Sequence, residues 1–478
     1  MKRLILWQVL DGLWWVALAA YILVGYNDVP FHGDESTLVY MSGDYFHLFY
    51  EHDLDRVMYS DTHDPAEQYL RVLNGSVGKM VMGVAEDLAG FTAKDLNQQW
   101  GWGLGWDWNA MYGHIPSDRL LRVARLSSTV MLILSAWAIF GITRRVAGNR
   151  PAAWAASAIY VTTPAVLLNG RRAMFEGSFL CFTLLTVWVA VILARGQGNS
   201  NPQRWLVRWS LLLGLCGGLA LASKHTAAVA VGAVFFALFT EPLVRLSPTT
   251  IRQRLRQYNW RWLARYAGAG LVVIVVFLAL NPVWWSDWPG MPARVLKMRR
   301  DLLNGQVAQF GGYENAQERL VALVRNTFVD GPQYYESPDW AHFIPDQIAR
   351  YDGRWFAGRG GGVIWGSLLM IAFTSGLAAL GRRWREGVVW VVLAWLVATV
   401  VVLLLTVPLD WQRYYIPIQA VMAVVAGAGI GWGVKWVGTK NRTSLPHRRH
   451  RYASPIDRNS TISRSAGNHA PDRLPGSF

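Results

Sequence analysis

GVVWVVLAWLVATVVVLLLTV, residues 387–407, runs for 21 positions without a charged side chain. A helix rises 1.5 Å per residue, so about 20 apolar residues cross the roughly 30 Å hydrocarbon core of a bilayer. Inside that core a backbone must satisfy its own hydrogen bonds, which a helix does and an open strand does not. Residues 387–407 therefore read as a membrane span. Stretches of the same character lie near 5–25, 121–143, 151–168, 173–194, 205–222, 225–241, 262–282, 362–380 and 414–436. The chain is expected to be an all-α integral membrane protein with about ten transmembrane helices. The stretches 205–222 and 225–241 are almost contiguous, which suits a tight hairpin or a broken helix.

Composition agrees. The 478 residues are 53% hydrophobic and only 16% charged, against about a quarter charged in soluble domains. The net charge of +15 does not imply a nucleic-acid partner, because the positive charge sits at span ends and in one tail. Cys181 and Cys216 fall inside apolar stretches and read as small buried hydrophobes, with no disulfide and no CxxC motif. The first span follows Met1-Lys2-Arg3 without a clear small-residue cleavage site, so it reads as a retained helix.

The charges orient the spans. One set of connections carries Arg144, Arg145 and Arg150; Arg195, Arg204 and Arg208; Arg245, Arg252, Arg254, Arg256 and Arg261; and Arg382, Arg383 and Arg385. Lys435, Lys440 and Arg442 join them. Basic loops stay in the cytoplasm, so both termini are expected there. Residues 1–436 form the membrane domain, and 437–478, rich in Ser, Arg, Asn and Pro, are expected to be a disordered basic cytoplasmic tail. Two long segments, about 26–118 and 283–361, fall outside. The first is acidic and carries the Trp/Gly run from Gly101 to Trp106, which suits an interfacial belt. The second opens with Asn281-Pro282-Val283-Trp284-Trp285. Both are expected to hold short amphipathic helices on the membrane surface.

The informative residues are charges that break this pattern. Arg171 and Arg172 sit between the third and fourth spans, where arginine should be scarce. Lys224 lies in Ser223-Lys224-His225-Thr226, between two apolar stretches; Arg413 enters the last span in Trp411-Gln412-Arg413-Tyr414-Tyr415. Asp34 and Glu35 follow the first span, and Glu176 lies about one turn inside the fourth. Charges at membrane depth are costly and point to function. All of these groups fall at one outer level. Cations there can hold the phosphate of a lipid-linked donor, and a carboxylate can take a proton from an acceptor hydroxyl. Blander roles stand beside these. Arg171, Arg172 and Arg413 can snorkel to head groups, and Asp34 and Glu35 can cap a surface helix. His47, His52, Asp53, His63 and Asp64 match no metal-ligand spacing and fit an ordinary polar loop better. Trp284, Trp285 and Trp288 suit interfacial anchoring more than sugar stacking. Gly311-Gly312-Tyr313 suits a turn at least as well as a mobile loop over the site.

Four motifs resemble the GT-C glycosyltransferases, in the branch of protein O-mannosyltransferases and lipid A aminoarabinose transferases. They are the acidic pair Asp34-Glu35 after the first helix, PAVLLNGRRAMFE from Pro164 to Glu176, the Lys224 element, and Arg413-Tyr414-Tyr415-Ile416-Pro417. Their order is similar across roughly residues 1–436. The resemblance implies inverting transfer from a polyprenyl-phosphate sugar at the extracytoplasmic face. It assigns catalysis to Asp34, with Glu35 beside it. Arg171, Arg172, Lys224 and Arg413 would bind the donor phosphate, and Glu176, Tyr414, His225 and Trp284 the substrate. Glu176 and His225 depart from that family's common aspartate and aromatic. The sequence identifies no cofactor with certainty and leaves a divalent metal open, and the acceptor is open too: protein, lipid or glycan. The competing function is a transporter or flippase for a lipid-linked or anionic substrate. Its charges should line a path through the membrane, whereas the middles of these spans carry almost none.

Overall fold

The computed structural model describes residues 2–196, 202–245, 260–359 and 361–443. Every regular element among them is helical. We label the main helices α1 (Lys2–Leu23), α2 (Gly33–Met41), α3 (Asp118–Ala147), α4 (Arg150–Thr162), α5 (Pro164–Arg171), α6 (Glu176–Arg195), α7 (Pro202–Ser223), α8 (Ala228–Arg245), α9 (Trp260–Leu280), α10 (Met291–Phe310), α11 (Val363–Gly381), α12 (Gly387–Thr406) and α13 (Ile416–Thr443). Among the described residues nine helices are long and apolar enough to cross a bilayer, and the bent pair α4–α5 makes a tenth. One apolar core runs through the bundle, built largely from α3, α6, α8, α12 and α13. Local signals set the ends. The longest helix, α3, starts where Ser117 accepts a hydrogen bond from the Leu120 amide, and stops at Gly148, whose φ of 69° is left-handed.

Two expectations need correction, and one left open between two alternatives is resolved. The third span is not one straight helix. It bends by 62° between Thr162 and Pro164, because a proline lacks the N–H and disfavours helix in the residue before it. The near-contiguous pair 205–222 and 225–241 is two helices joined at Lys224 and a single turn, His225–Ala227. The tail expected to be disordered from 437 is helical as far as Thr443; residues 444–478 lie outside the described residues.

The basic connections do gather at one end. Asp11 of α1 accepts from Arg144 at 3.1 Å, Arg150 at 2.9 Å and the Trp154 indole at 3.2 Å. Arg383 donates to the Val146 carbonyl at 3.0 Å, and Arg245 pairs with Glu241 and the Ala194 carbonyl. Arg252, Arg254 and Arg256 lie outside the described residues.

The two long segments fold on each other at the opposite end. The Phe31 amide donates to Gln347 at 2.8 Å, and His32 stacks on Tyr335 at 4.5 Å. Trp100, Trp102 and Trp106 pack around Trp340, so the aromatic run joins the two segments. The expected short helices are present, among them Gly43–Phe49, Pro65–Leu73 and Val77–Leu88. Buried Asp44 pins these three, accepting from Arg71 at 2.8 Å and from Lys79. The histidines and aspartates weighed as a metal site do local work. Asp53 and Asp64 cap helices, His47 meets Glu51 at 2.6 Å, and His63 meets Gln68 at 2.9 Å.

Candidate active site

Asp34 occupies the first turn of α2, and its neighbour Glu35 faces another way. Adjacent helical residues are about 100° apart around the axis, so the two carboxylates part. Glu35 is fully buried. It accepts from both sides of the Arg125 guanidinium at 2.7 and 2.8 Å, from the Ala173 amide at 2.9 Å and from the His32 amide at 3.1 Å. Burial pushes its pKa up, but Arg125 outweighs that and holds it below the ordinary glutamate value. Glu35 thus ties α2 to α3 and to the start of α6, and orients the loop without facing a substrate. Gly33 belongs to the same joint, since a Cβ there would stand 2.7 Å from the Trp100 indole nitrogen.

Asp34 keeps 22% of its side chain exposed and pairs with Arg413. Arg413 also holds Glu336 at 2.9 Å. Glu336 accepts from His32 Nε2 at 2.8 Å, while His32 Nδ1 accepts the Asp34 amide at 3.1 Å. That second bond fixes the tautomer with its proton on Nε2. Burial raises the Glu336 pKa, yet Arg413 and His32 pull it well below the usual carboxylate range. Gln412 and Gln333 exchange amide bonds at 2.7 and 3.0 Å and hold the Arg413 turn against the second long segment. Asp34, Arg413, Glu336 and His32 therefore form one charged network between the two long segments.

Arg171 is not free to bind a phosphate. Its five N–H donors are all engaged: with the carbonyls of Ile22, Tyr21, Val24 and Phe356, and with the Tyr351 hydroxyl. Two of those carbonyls, of Tyr21 and Ile22, lie in the last turn of α1, whose last C=O groups lack helical partners, and Val24 follows directly after it. The bend at Pro164 is what delivers Arg171 to them. Arg172 is 1% exposed and donates to the carbonyls of Pro30 at 3.2 Å and Tyr334 at 2.8 Å. Both arginines staple loops instead of facing a cavity.

Lys224 turns inward and meets Glu176 at 2.7 Å. It keeps 22% of its side chain exposed and lies over the Phe179 ring at 5.9 Å. Glu176 also acts electrostatically on Arg413, so the two pairs share one region. At Gly177 a Cβ would stand 2.3 Å from Ser128 Oγ, so glycine lets the start of α6 lie tight against α3. Tyr414 donates to Gln306 of α10 at 3.3 Å. His225 is half-buried against Phe277 and Trp284, at 6.0 and 6.1 Å, and its shielded ring nitrogens have no partner among the described residues. Trp284 packs edge-on against Phe277 at 4.7 Å.

Arg299 was not singled out from the sequence. It lies on α10 seven residues before Gln306, two turns along the same face. Its charge acts on Arg413, Tyr414 and His225. No hydrogen bond or carboxylate partner is found for it among the described residues. Burial, with Arg413 nearby, holds its pKa below the ordinary arginine value. A half-buried cation without a counter-charge is costly, and an anionic ligand removes that cost. A signal was available: Arg294, Lys297, Arg299 and Arg300 crowd one segment on the side where basic residues should be scarce. Glu336 and Arg125 carried no comparable mark. Among the described residues, no group of three or more His, Cys, Asp or Glu is placed to hold a metal.

Residues 104–288 match the family model of dolichyl-phosphate-mannose-protein mannosyltransferases. The chain thus resembles the GT-C enzymes its motifs suggested, although Asp34, Arg299 and Arg413 lie outside the matched segment. No curated protein matches. Similar solved structures include the apo oligosaccharyltransferase of Archaeoglobus fulgidus (13% identity, TM-score 0.49, covering 90% of this chain and 51% of that one). ArnT from Cupriavidus metallidurans bound to undecaprenyl phosphate is another (15% identity, TM-score 0.47, 91% and 63%). A third is AglB from Archaeoglobus fulgidus with an inhibitory peptide and a dolichol-phosphate (12% identity, TM-score 0.46, 91% and 52%). The chain spans between half and two thirds of the length of these proteins.

Proposed function

We propose that the protein is a membrane glycosyltransferase that moves a sugar from a polyprenyl-phosphate donor to an acceptor hydroxyl or amine at the extracytoplasmic face. The observation that carries this is a part-exposed carboxylate, Asp34, paired with Arg413, on which Arg299 and the Glu176 of the Lys224–Glu176 pair both act electrostatically, at the end of the bundle away from the basic loops. By the positive-inside rule that end is the outer one.

The chemistry follows from the placement. The donor's tail stays in lipid and its phosphate lies among the three cations, with Arg299 supplying the unspent charge. The acceptor oxygen or nitrogen attacks the sugar's anomeric carbon, and the bond from that carbon to the phosphate oxygen breaks. The acceptor's proton passes to Asp34, and the polyprenyl phosphate leaves with its charge held by Lys224, Arg299 and Arg413. One in-line displacement inverts the anomeric carbon. Arg413 touches both halves of the site, which couples donor binding to the placement of the base. Glu336 and His32 position Arg413 and the Asp34 backbone.

A transporter would need charges along its depth. Asp11 and Glu241 are held by arginines at the basic end, whereas Asp34, Glu35, Glu176 and Glu336 gather at the opposite end. That distribution favours an interface reaction. The test is to reconstitute the purified protein in nanodiscs with a panel of polyprenyl-phosphate sugars and follow polyprenyl-phosphate release. Turnover of at least one donor is expected. Transbilayer movement of the donor without cleavage would favour the flippase instead.

A further inference from the structure

We infer that the acceptor is a carbohydrate, whose ring stacks on Trp102 and Trp340 beside Asp34. This rests on the glycosyltransferase function proposed above and names the acceptor class of the same site. Trp102 and Trp340 meet edge-to-face at 5.7 Å, and Trp102 is 45% exposed. The Trp102 ring lies 5.8 Å from His32, the residue that bonds both the Asp34 amide and Glu336. One histidine therefore separates an open indole from the proposed base. The platform is rigid: Trp340 also stacks over buried Tyr335, and buried Trp100 packs beneath Trp102 at 6.2 Å. Rigid aromatic rings offer a large contact area at little entropic cost.

The surroundings choose the occupant. A sugar ring has an apolar C–H face for an indole and hydroxyls on its rim. The rim groups find backbone: Trp102 is bracketed by glycines, and at Gly103 and Gly105 no atom lies within 4 Å of where a Cβ would stand. A membrane-interface belt would favour basic neighbours for anionic head groups. Here the rings are followed or preceded by exposed acidic residues, Asp107 after Trp106 and Asp339 before Trp340. A prenyl tail would need a continuous apolar groove, which the glycines and acids interrupt. In the transfer step, a hydroxyl of the stacked sugar is the nucleophile that gives its proton to Asp34.

The test is saturation-transfer NMR on the full-length protein in nanodiscs. The probes are short mannose, galactose and arabinose oligosaccharides and, for contrast, a Ser/Thr-rich peptide. At least one oligosaccharide should receive saturation at its ring protons. Trp102→Ala should weaken its Kd by about ten-fold, the scale of one lost aromatic stack. Trp108→Ala, at an exposed ring whose ring contacts among the described residues are with Tyr112 and His114, should leave it unchanged. Binding of the peptide alone, binding of no oligosaccharide, or an unaltered Kd in a folded Trp102→Ala protein would overturn the inference. Donor cleavage by the parent protein is read in parallel. Oligosaccharide binding without any cleavage refutes the enzyme and leaves the platform, whereas cleavage without oligosaccharide binding refutes the platform alone.

Discussion

Glu35 and Arg125 form a two-pronged ion pair, at 2.7 and 2.8 Å, with both side chains buried. One residue earlier, Asp34 is part-exposed. The adjacent carboxylates therefore divide structure from chemistry. Removing one partner of a buried pair strands the other charge and costs about 3–5 kcal/mol. Glu35→Ala should lower the melting temperature sharply, and Glu35→Gln less so. Asp34→Asn should melt near the parental temperature. Equal melting of Glu35→Ala and parent protein would show that the pair does not hold α2 in place.

Arg171 and Arg299 should fail in opposite ways. Arg171→Ala leaves the carbonyls of α1 without donors, so it should reduce folded yield. Any protein that does fold should bind the donor phosphate normally. Arg299→Ala removes a charge that has no hydrogen-bond or carboxylate partner among the described residues, so stability should hold or rise. Its Kd for a polyprenyl-phosphate sugar should weaken by ten-fold or more, on the scale of about 1.5–3 kcal/mol for a hydrogen bond to a charged group. Titration of the donor into both variants, with melting curves alongside, separates the two roles.

Glu86 makes one segment of the outer loop pH-sensitive. It is fully buried, with Ser42 Oγ at 2.6 Å and its second oxygen unpartnered among the described residues. Ser42 has one hydroxyl proton and also bonds the Val39 carbonyl. A protonated Glu86 that donates to Ser42 satisfies both. Burial pushes its pKa from 4.5 up to about 7. The folded state then keeps a proton that the unfolded state has released, so stability falls as pH rises from about 4.5 to about 7 and levels off above. Melting curves at pH 5 and pH 8 should show this fall, and Glu86→Gln should flatten it. An unchanged slope in Glu86→Gln would place the sensitivity elsewhere.

The spans were legible because membrane depth imposes a strong and simple pattern on sequence: long apolar runs, with Arg at one set of ends. Residues 387–407 needed nothing more. The bend at Pro164 was foreshadowed by the proline itself but hidden by the apolar residues on both sides. Site charges were legible as violations of that pattern, which brought out Asp34, Lys224, Glu176 and Arg413. The same criterion misplaced Arg171 and Arg172. A misplaced arginine signals only that something anionic or carbonyl-rich is near, and here the partners are the exposed end of α1 and two loop carbonyls. Glu336 and Arg125 were not legible, because their roles come from contacts with residues 304 and 90 positions away. No local pattern encodes such a pairing.

The most direct measurement is polyprenyl-phosphate release by Asp34→Asn and the parent protein, side by side in nanodiscs at matched donor occupancy. Asp34→Asn preserves shape while removing the proton acceptor. The account predicts normal folding, retained donor binding, and turnover lower by about 10²–10⁴-fold, the usual contribution of a general base. A folded Asp34→Asn protein that binds donor and releases polyprenyl phosphate at the parental rate would contradict it.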